Sequence, residues 1–81
     1  MTIEYELIEA RKSDECGCPE EVAVIGMFDV IIHLEEDGTG DMFMDCGDWE
    51  HDVTFSDPNM TMELLREKAV NHIAAIPITQ N

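Results

Sequence analysis

Val22-Ala23-Val24-Ile25-Gly26-Met27-Phe28-Asp29-Val30-Ile31-Ile32-His33-Leu34 is the stretch that decides the fold, because it reads as strand or as helix depending on how its residue types are weighed. Valine and isoleucine dominate it, and their branching restricts χ1 in a way that suits a pleated surface better than a helix. Pro19-Glu20-Glu21 just ahead could open a helix with proline at its first position, but Gly26 would weaken that helix. The segment therefore reads as strand. It is long for one, so Gly26 marks a bulge, bend or break within it.

Downstream, Asp37-Gly38-Thr39-Gly40 stands between apolar runs and supplies glycines able to take the positive φ of a tight turn, so a hairpin is expected with Gly38 in its turn. Its return strand is Asp41 to Cys46, with Met42 and Met44 on one face and Asp41, Phe43 and Asp45 on the other. Gly47-Asp48 turns the chain again. Trp49, His51, Val53 and Phe55 then alternate with Glu50, Asp52 and Thr54, the cleanest period of two in the sequence. After Ser56-Asp57-Pro58-Asn59, either Asn59 or Thr61 can cap a helix reaching about Ile76. Its apolar stripe is Met62, Leu65, Ala69, Ile73 and Ile76, and Pro77 stops it.

Upstream, Thr2 to Glu9 alternates, with Ile3, Tyr5 and Leu7 on one face, and reads as a first strand. Arg11 to Glu21 is polar, holds Gly17 and Pro19, and reads as a connection. The expected architecture is a single α+β domain over residues 1–81. It has an antiparallel sheet of three or four strands with one C-terminal α-helix packed on one face, which leaves the acids on the loops and the open face. A chain this short buries roughly 60% of the surface its unfolded form exposes, so the core is small.

The charge is distributed unevenly. The net charge is −15, yet residues 13–57 contain no Lys or Arg and the two flanks are almost neutral. Self-repulsion at that density lowers the stability of the compact state, and nothing inside the segment relieves it. Many small acidic proteins carry such charge only for solubility. A cationic partner, however, would gain attraction and a faster on-rate from it, with steering effective over about 8 Å at physiological salt. The residues expected to meet that partner are Glu35, Glu36, Asp37, Asp41, Asp45, Asp48, Glu50 and Asp52, with Phe43 as an exposed aromatic anchor. Trp49, the single tryptophan, is expected in the core rather than at an interface.

Cys16, Cys18, Cys46 and His51 supply four thiolate or imidazole groups, the number and softness of a tetrahedral zinc site. Their spacing, one Cys-x-Cys and one Cys-x4-His, departs from the usual Cys-x2-4-Cys pairs. The expectation is therefore no metal and no cofactor, with reduced thiols and a His51 hydrogen-bonded on the inner face of its strand. Asp37, Asp41, Asp45 and Asp48 resemble a calcium loop in composition but lack its ligand periodicity and closing Glu. The only serines, Ser13 and Ser56, lie in no nucleophile motif, no phosphate-binding glycine loop is present, and the expectation is that the chain is not an enzyme. No apolar run is long enough to span a bilayer, and Met1-Thr2-Ile3-Glu4 lacks the basic start of a signal peptide. A cytoplasmic location with no membrane partner is expected.

Small size, the acid run Glu35-Glu36-Asp37 with Asp41, Asp45, Asp48, Glu50 and Asp52, and the lack of catalytic motifs together resemble small phage-encoded inhibitors that mimic DNA. These include anti-CRISPR, anti-restriction and uracil-glycosylase inhibitor proteins. The likeness lies in size and composition over residues 13–57 and transfers no functional residue. It implies a non-enzymatic inhibitor that occupies the Lys- and Arg-lined groove of a basic, nucleic-acid-binding protein or nucleoprotein complex and does not itself bind nucleic acid. Alternatives are an immunity protein or antitoxin against a basic nuclease, which uses the same electrostatics, and a small zinc-binding or housekeeping domain.

Overall fold

Gly26 takes a φ of 63° while Met27 keeps a negative φ, as a type II′ turn requires, and the apolar stretch folds back on itself at that point. The computed structural model describes residues 3–47 and 49–76 and shows two strands where a single long one was expected: β2 (Pro19–Ile25) and β3 (Phe28–Leu34). With β1 (Tyr5–Lys12), β4 (Thr39–Asp45) and β5 (Glu50–Ser56) they form a five-stranded antiparallel meander in the order β1-β2-β3-β4-β5. The helix α1 (Met62–Ala74) follows. The α+β class stands, and the strand count is corrected from three or four to five. Apolar content could not distinguish a kink at Gly26 from a complete reversal.

Arg11 to Glu21 is corrected as well. Only residues 13–18 are a connection, because the two ends are strand: Arg11 pairs with Glu20 and Lys12 with Pro19 at the end of the β1–β2 ladder. Backbone hydrogen bonding carries a ladder through polar residues, and the Arg11 Nε–Glu20 Oε2 ion pair at 2.7 Å closes this one. A bulge between Leu7 and Glu9 twists β1, and Ile8 and Leu7 remain exposed on this edge strand. Thr2, the expected start of β1, and Pro77, the expected helix stop, lie outside the described residues.

The helix covers one face of the sheet. Leu65, Ala69 and Ile73 from the expected stripe are buried, with Met62 and Ile76 half-buried at its ends. They pack on Ala23 and Ile25 of β2, Phe28, Val30 and Ile32 of β3, and Met42 and Met44 of β4. Thr61 is the N-cap, its hydroxyl accepting from the Leu64 amide at 3.1 Å. Close approach of helix to sheet depends on Gly40, since a Cβ there would stand 2.6 Å from Leu65 Cδ1. Gly38 lies in the β3–β4 turn as expected, with φ 91°. Its carbonyl accepts from the Asp57 amide at 3.2 Å, tying that turn to the segment that leads into α1.

One charged group lies in this interface. Glu21 is buried, and its carboxylate accepts from Arg66 Nε at 2.8 Å, Arg66 Nη2 at 2.6 Å and the Tyr5 hydroxyl at 2.6 Å. The Arg66 guanidinium also lies 5.5 Å from the centroid of the Tyr5 ring. This trio fastens the helix to β1 and β2 with fixed geometry. No helix among the described residues is long and apolar enough to cross a membrane.

Candidate functional site

Strand register decides which side chains share the uncovered face. Side chains alternate across a strand, so each set of cross-strand partners forms a row running over the sheet. Three such rows face away from α1. The first is Arg11, Glu20, His33, Asp41 and Thr54; the second is Glu9, Val22, Ile31, Phe43 and Asp52; the third is Glu6, Val24, Asp29, Asp45 and Glu50. Val22, Val24, Ile31 and Phe43 make a half-buried apolar centre, and carboxylates surround it.

Like charges stand directly opposite one another in the third row, where Asp29 pairs with Asp45 and Asp45 with Glu50. Asp45 Oδ1 is shielded from solvent and has no hydrogen-bond partner among the described residues. Asp41 is satisfied by the Thr54 hydroxyl at 2.9 Å. The cations do little to neutralise this face. Arg11 is engaged by Glu20 and Glu9 at one edge, Arg66 by Glu21 on the opposite face, and Lys68 by Asp57 near the helix.

Of the expected partner-binding residues, the fold gathers Asp41, Phe43, Asp45, Glu50 and Asp52 on this open face. Phe43 has the opposite parity to Met42 and Met44, as its sequence position suggests. Glu35, Glu36 and Asp37 lie instead in the β3–β4 turn at one end of the sheet, where Asp37 accepts from the Thr39 amide and hydroxyl. Asp48 lies outside the described residues. The sequence reading did not single out Asp29, Glu6 or Glu9 for the face. Their signal was parity relative to Val22 and Val24, usable only once the Gly26 reversal is known.

Trp49 is not a core residue. It is 46% exposed, precedes β5, and leans on Phe28 with ring centroids 5.7 Å apart. His51 has the inner-face parity expected of it, opposite Met44, but it is exposed there and stacks on Trp49 at 5.6 Å. Both sit toward the sheet end where Met27, Phe28, Cys46, Trp49 and Ile76 line a shallow apolar depression.

The zinc set read from spacing is therefore broken apart. Cys46 follows the end of β4 that pairs with Asp29, whereas Cys18 precedes the end of β2 that pairs with His33. Those two ends of β3 are four residues, or about 13 Å, apart. The fold instead brings Cys16 and Cys18 to His33 and Glu35, with one donor atom from each lying within 4.8 Å of all the others. Cys16 Sγ is 3.6 Å from His33 Nε2, and Glu35 Oε2 is 3.0 Å from the same nitrogen. His33 Nδ1 is 3.2 Å from Glu20 Oε1.

The electrostatics follow from these contacts. Burial opposes a charge on His33, but hydrogen bonds to Glu20 and Cys16 and the charge of Glu35 outweigh it and raise its pKa. Hydrogen bonding to Cys18 lowers the Cys16 thiol, while the Cys18 thiol is pushed up to about 11 by its hydrogen bond to Cys16 and by burial. The Arg11 guanidinium holds Glu20 below the usual carboxylate range.

No relative emerges. No family model matches the chain, and neither a curated protein nor a solved structure matches it. The functional reading rests on the geometry of this face and on the residues that build it.

Proposed function

We propose that the chain is a non-enzymatic inhibitor whose open sheet face binds the basic, nucleic-acid-binding surface of a protein or nucleoprotein complex, in the manner of a DNA mimic. The observation that carries this reading is the alignment of Asp29, Asp45 and Glu50 as direct cross-strand neighbours on a face whose one arginine, Arg11, is engaged by Glu20 and Glu9 at the β1 edge. Like charges placed opposite each other on a sheet are destabilising, and a face serving only solubility has no need to align them.

Charge density supports the same reading. Glu6, Glu9, Asp29, Asp41, Asp45, Glu50 and Asp52 span five strands spaced ~4.8 Å apart, about one carboxylate per 3 Å of sheet width. One strand of a DNA duplex carries a charge per ~3.4 Å of axis, so a Lys- and Arg-lined groove would meet a comparable field. The apolar centre of Val22, Ile31 and Phe43 supplies the contact area that charges alone lack.

The test begins with immobilised chain, used to capture partners from a lysate of its native host and challenged with duplex DNA. Binding kinetics to the captured protein are then measured at two ionic strengths. The variants are Asp29→Lys/Asp45→Lys/Asp52→Lys on the face and Glu63→Lys/Glu67→Lys on the helix as a control. The expected result is release by DNA, an on-rate at least tenfold lower for the face variant with a flatter salt dependence, and little change for the control. Indifference to salt and to the face substitutions would make the acids a solubility device and end the mimicry reading.

A further inference from the structure

Cys16, Cys18, His33 and Glu35 come from two chain segments that meet at one end of the sheet, and together they contribute two thiols, one imidazole and one carboxylate. We propose that these four residues bind a borderline-soft divalent cation, zinc foremost, in a closed tetrahedral site. The proposal does not depend on the basic-partner reading; His33 and its support Glu20 lie in the first row of the open face, at the end of the sheet away from Asp29, Asp45 and Glu50.

Distance is the first argument. Zinc bonded to sulfur at ~2.3 Å and to nitrogen or oxygen at ~2.0–2.1 Å with tetrahedral angles places sulfur and nitrogen about 3.6 Å apart and nitrogen and oxygen about 3.3 Å apart. Cys16 Sγ to His33 Nε2 is 3.6 Å and Glu35 Oε2 to His33 Nε2 is 3.0 Å, so these two pairs need only tenths of an ångström to take up those positions, and all four donors lie within 4.8 Å of one another. Donor softness then selects the ion. Two thiolates with one imidazole suit zinc and disfavour magnesium or calcium.

The supporting contacts are the second argument. A metal-bound histidine usually donates its other ring nitrogen to a carboxylate, which fixes its tautomer and orientation. His33 Nδ1 already faces Glu20 Oε1 at 3.2 Å, and Glu20 is itself held by Arg11 Nε at 2.7 Å. This leaves Nε2 directed at Cys16 and Glu35. The backbone is braced on both sides. The Ser13 amide donates to the Cys18 carbonyl and the Gly17 amide to the Ser13 carbonyl, each at 2.9 Å, and the Glu35 amide donates to the Thr39 carbonyl at 2.8 Å.

Spacing hid the site for a definite reason. Cys-x-Cys is too short for the usual zinc loop, but Gly17 has φ 71°, a conformation that turns the backbone sharply between the two cysteines. The other two donors follow from strand register. Glu20 lies opposite His33, and continuing that ladder outward by two residues sets Cys18 against Glu35.

The full chain is purified under reducing conditions, freed of metal with a chelator, and titrated with cobalt(II) and then with zinc. The expected result is one equivalent of cobalt with thiolate charge-transfer absorption and the visible bands of a tetrahedral centre, both abolished by zinc. Cys16→Ser and Glu35→Gln lie on the exposed side and test the site even if Cys18→Ser fails to fold. Each should weaken binding, with Cys16→Ser also reducing the charge-transfer band. Glu20→Gln should lower affinity about 10–100-fold without changing the stoichiometry, as expected of a positioning residue. Cys46→Ser and His51→Ala should leave the spectrum unchanged. Absence of the tetrahedral spectrum in reduced wild-type protein would overturn the proposal, as would a spectrum that Cys46→Ser abolishes and Cys16→Ser leaves intact.

Discussion

Replacing Arg66 with methionine isolates the ion pair that, among the described residues, joins the helix to the sheet. The substitution keeps much of the aliphatic contact and removes two charge-assisted hydrogen bonds, at 2.8 Å and 2.6 Å, from a carboxylate whose side chain is only 7% exposed. Breaking a buried pair in this way costs about 3–5 kcal/mol because the remaining charge is left without compensation. Arg66 is itself 40% exposed, so water can partly replace it, and the Tyr5 hydroxyl still donates to Glu21. The lower end, about 3 kcal/mol, is the expected loss at neutral pH. For a domain of this size that corresponds to a fall in Tm of roughly 12–24 °C.

The pH dependence carries the sharper test. In the wild type, hydrogen bonds from Arg66 hold Glu21 below the usual carboxylate range, against the opposing effect of burial. A depressed carboxylate contributes its full stability above the unfolded pKa of about 4.3 and loses it as pH falls through the folded value. In Arg66→Met the sign reverses, since burial without a cation raises the Glu21 pKa above its unfolded value. The cost of the substitution should therefore be largest at neutral pH and shrink as Glu21 takes up a proton. Urea denaturation of both proteins at several pH values, followed by far-UV circular dichroism, gives this difference directly. A Cm for Arg66→Met equal to wild type at neutral pH, or a gap that widens on acidification, would refute the reasoning.

Other outcomes follow from the same packing and charge. Gly40→Ala places a Cβ against Leu65 Cδ1 at 2.6 Å and should cost about 1–3 kcal/mol, with Leu65→Val in the same chain restoring part of the loss in thermal denaturation. Asp45→Asn removes a carboxylate flanked by Asp29 and Glu50 and should stabilise the fold by about 0.2–1 kcal/mol at low salt. That gain should fade as salt is added, as urea midpoints at two ionic strengths would show. If the open face is the binding face, the same substitution should weaken binding to the captured partner while it strengthens the fold.

How far the sequence led depended on whether a feature was local. Parity within a strand is a property of the pleat alone, so Met42 and Met44 could be set against Phe43 without knowing any neighbour. The Gly38 turn and the Leu65-Ala69-Ile73 stripe were legible for the same reason, as was the concentration of acid in residues 13–57, while the cap was narrowed to Asn59 or Thr61 and the structure selects Thr61. Register is not local. It depends on where the chain reverses and how many residues the reversal uses, and a slip of one residue would send a whole strand's side chains to the other face.

Only the tertiary structure therefore decided that Gly26 and Met27 close a hairpin and that Asp29 stands beside Asp45. The same pairing carries Cys18 to His33 and Glu35 and away from Cys46 and His51. Trp49 illustrates the remaining kind of information. Its size argued for the core, but α1 ends at Ala74 and Trp49 sits just outside β5, so burial was set by what lay above the residue and not by the residue itself.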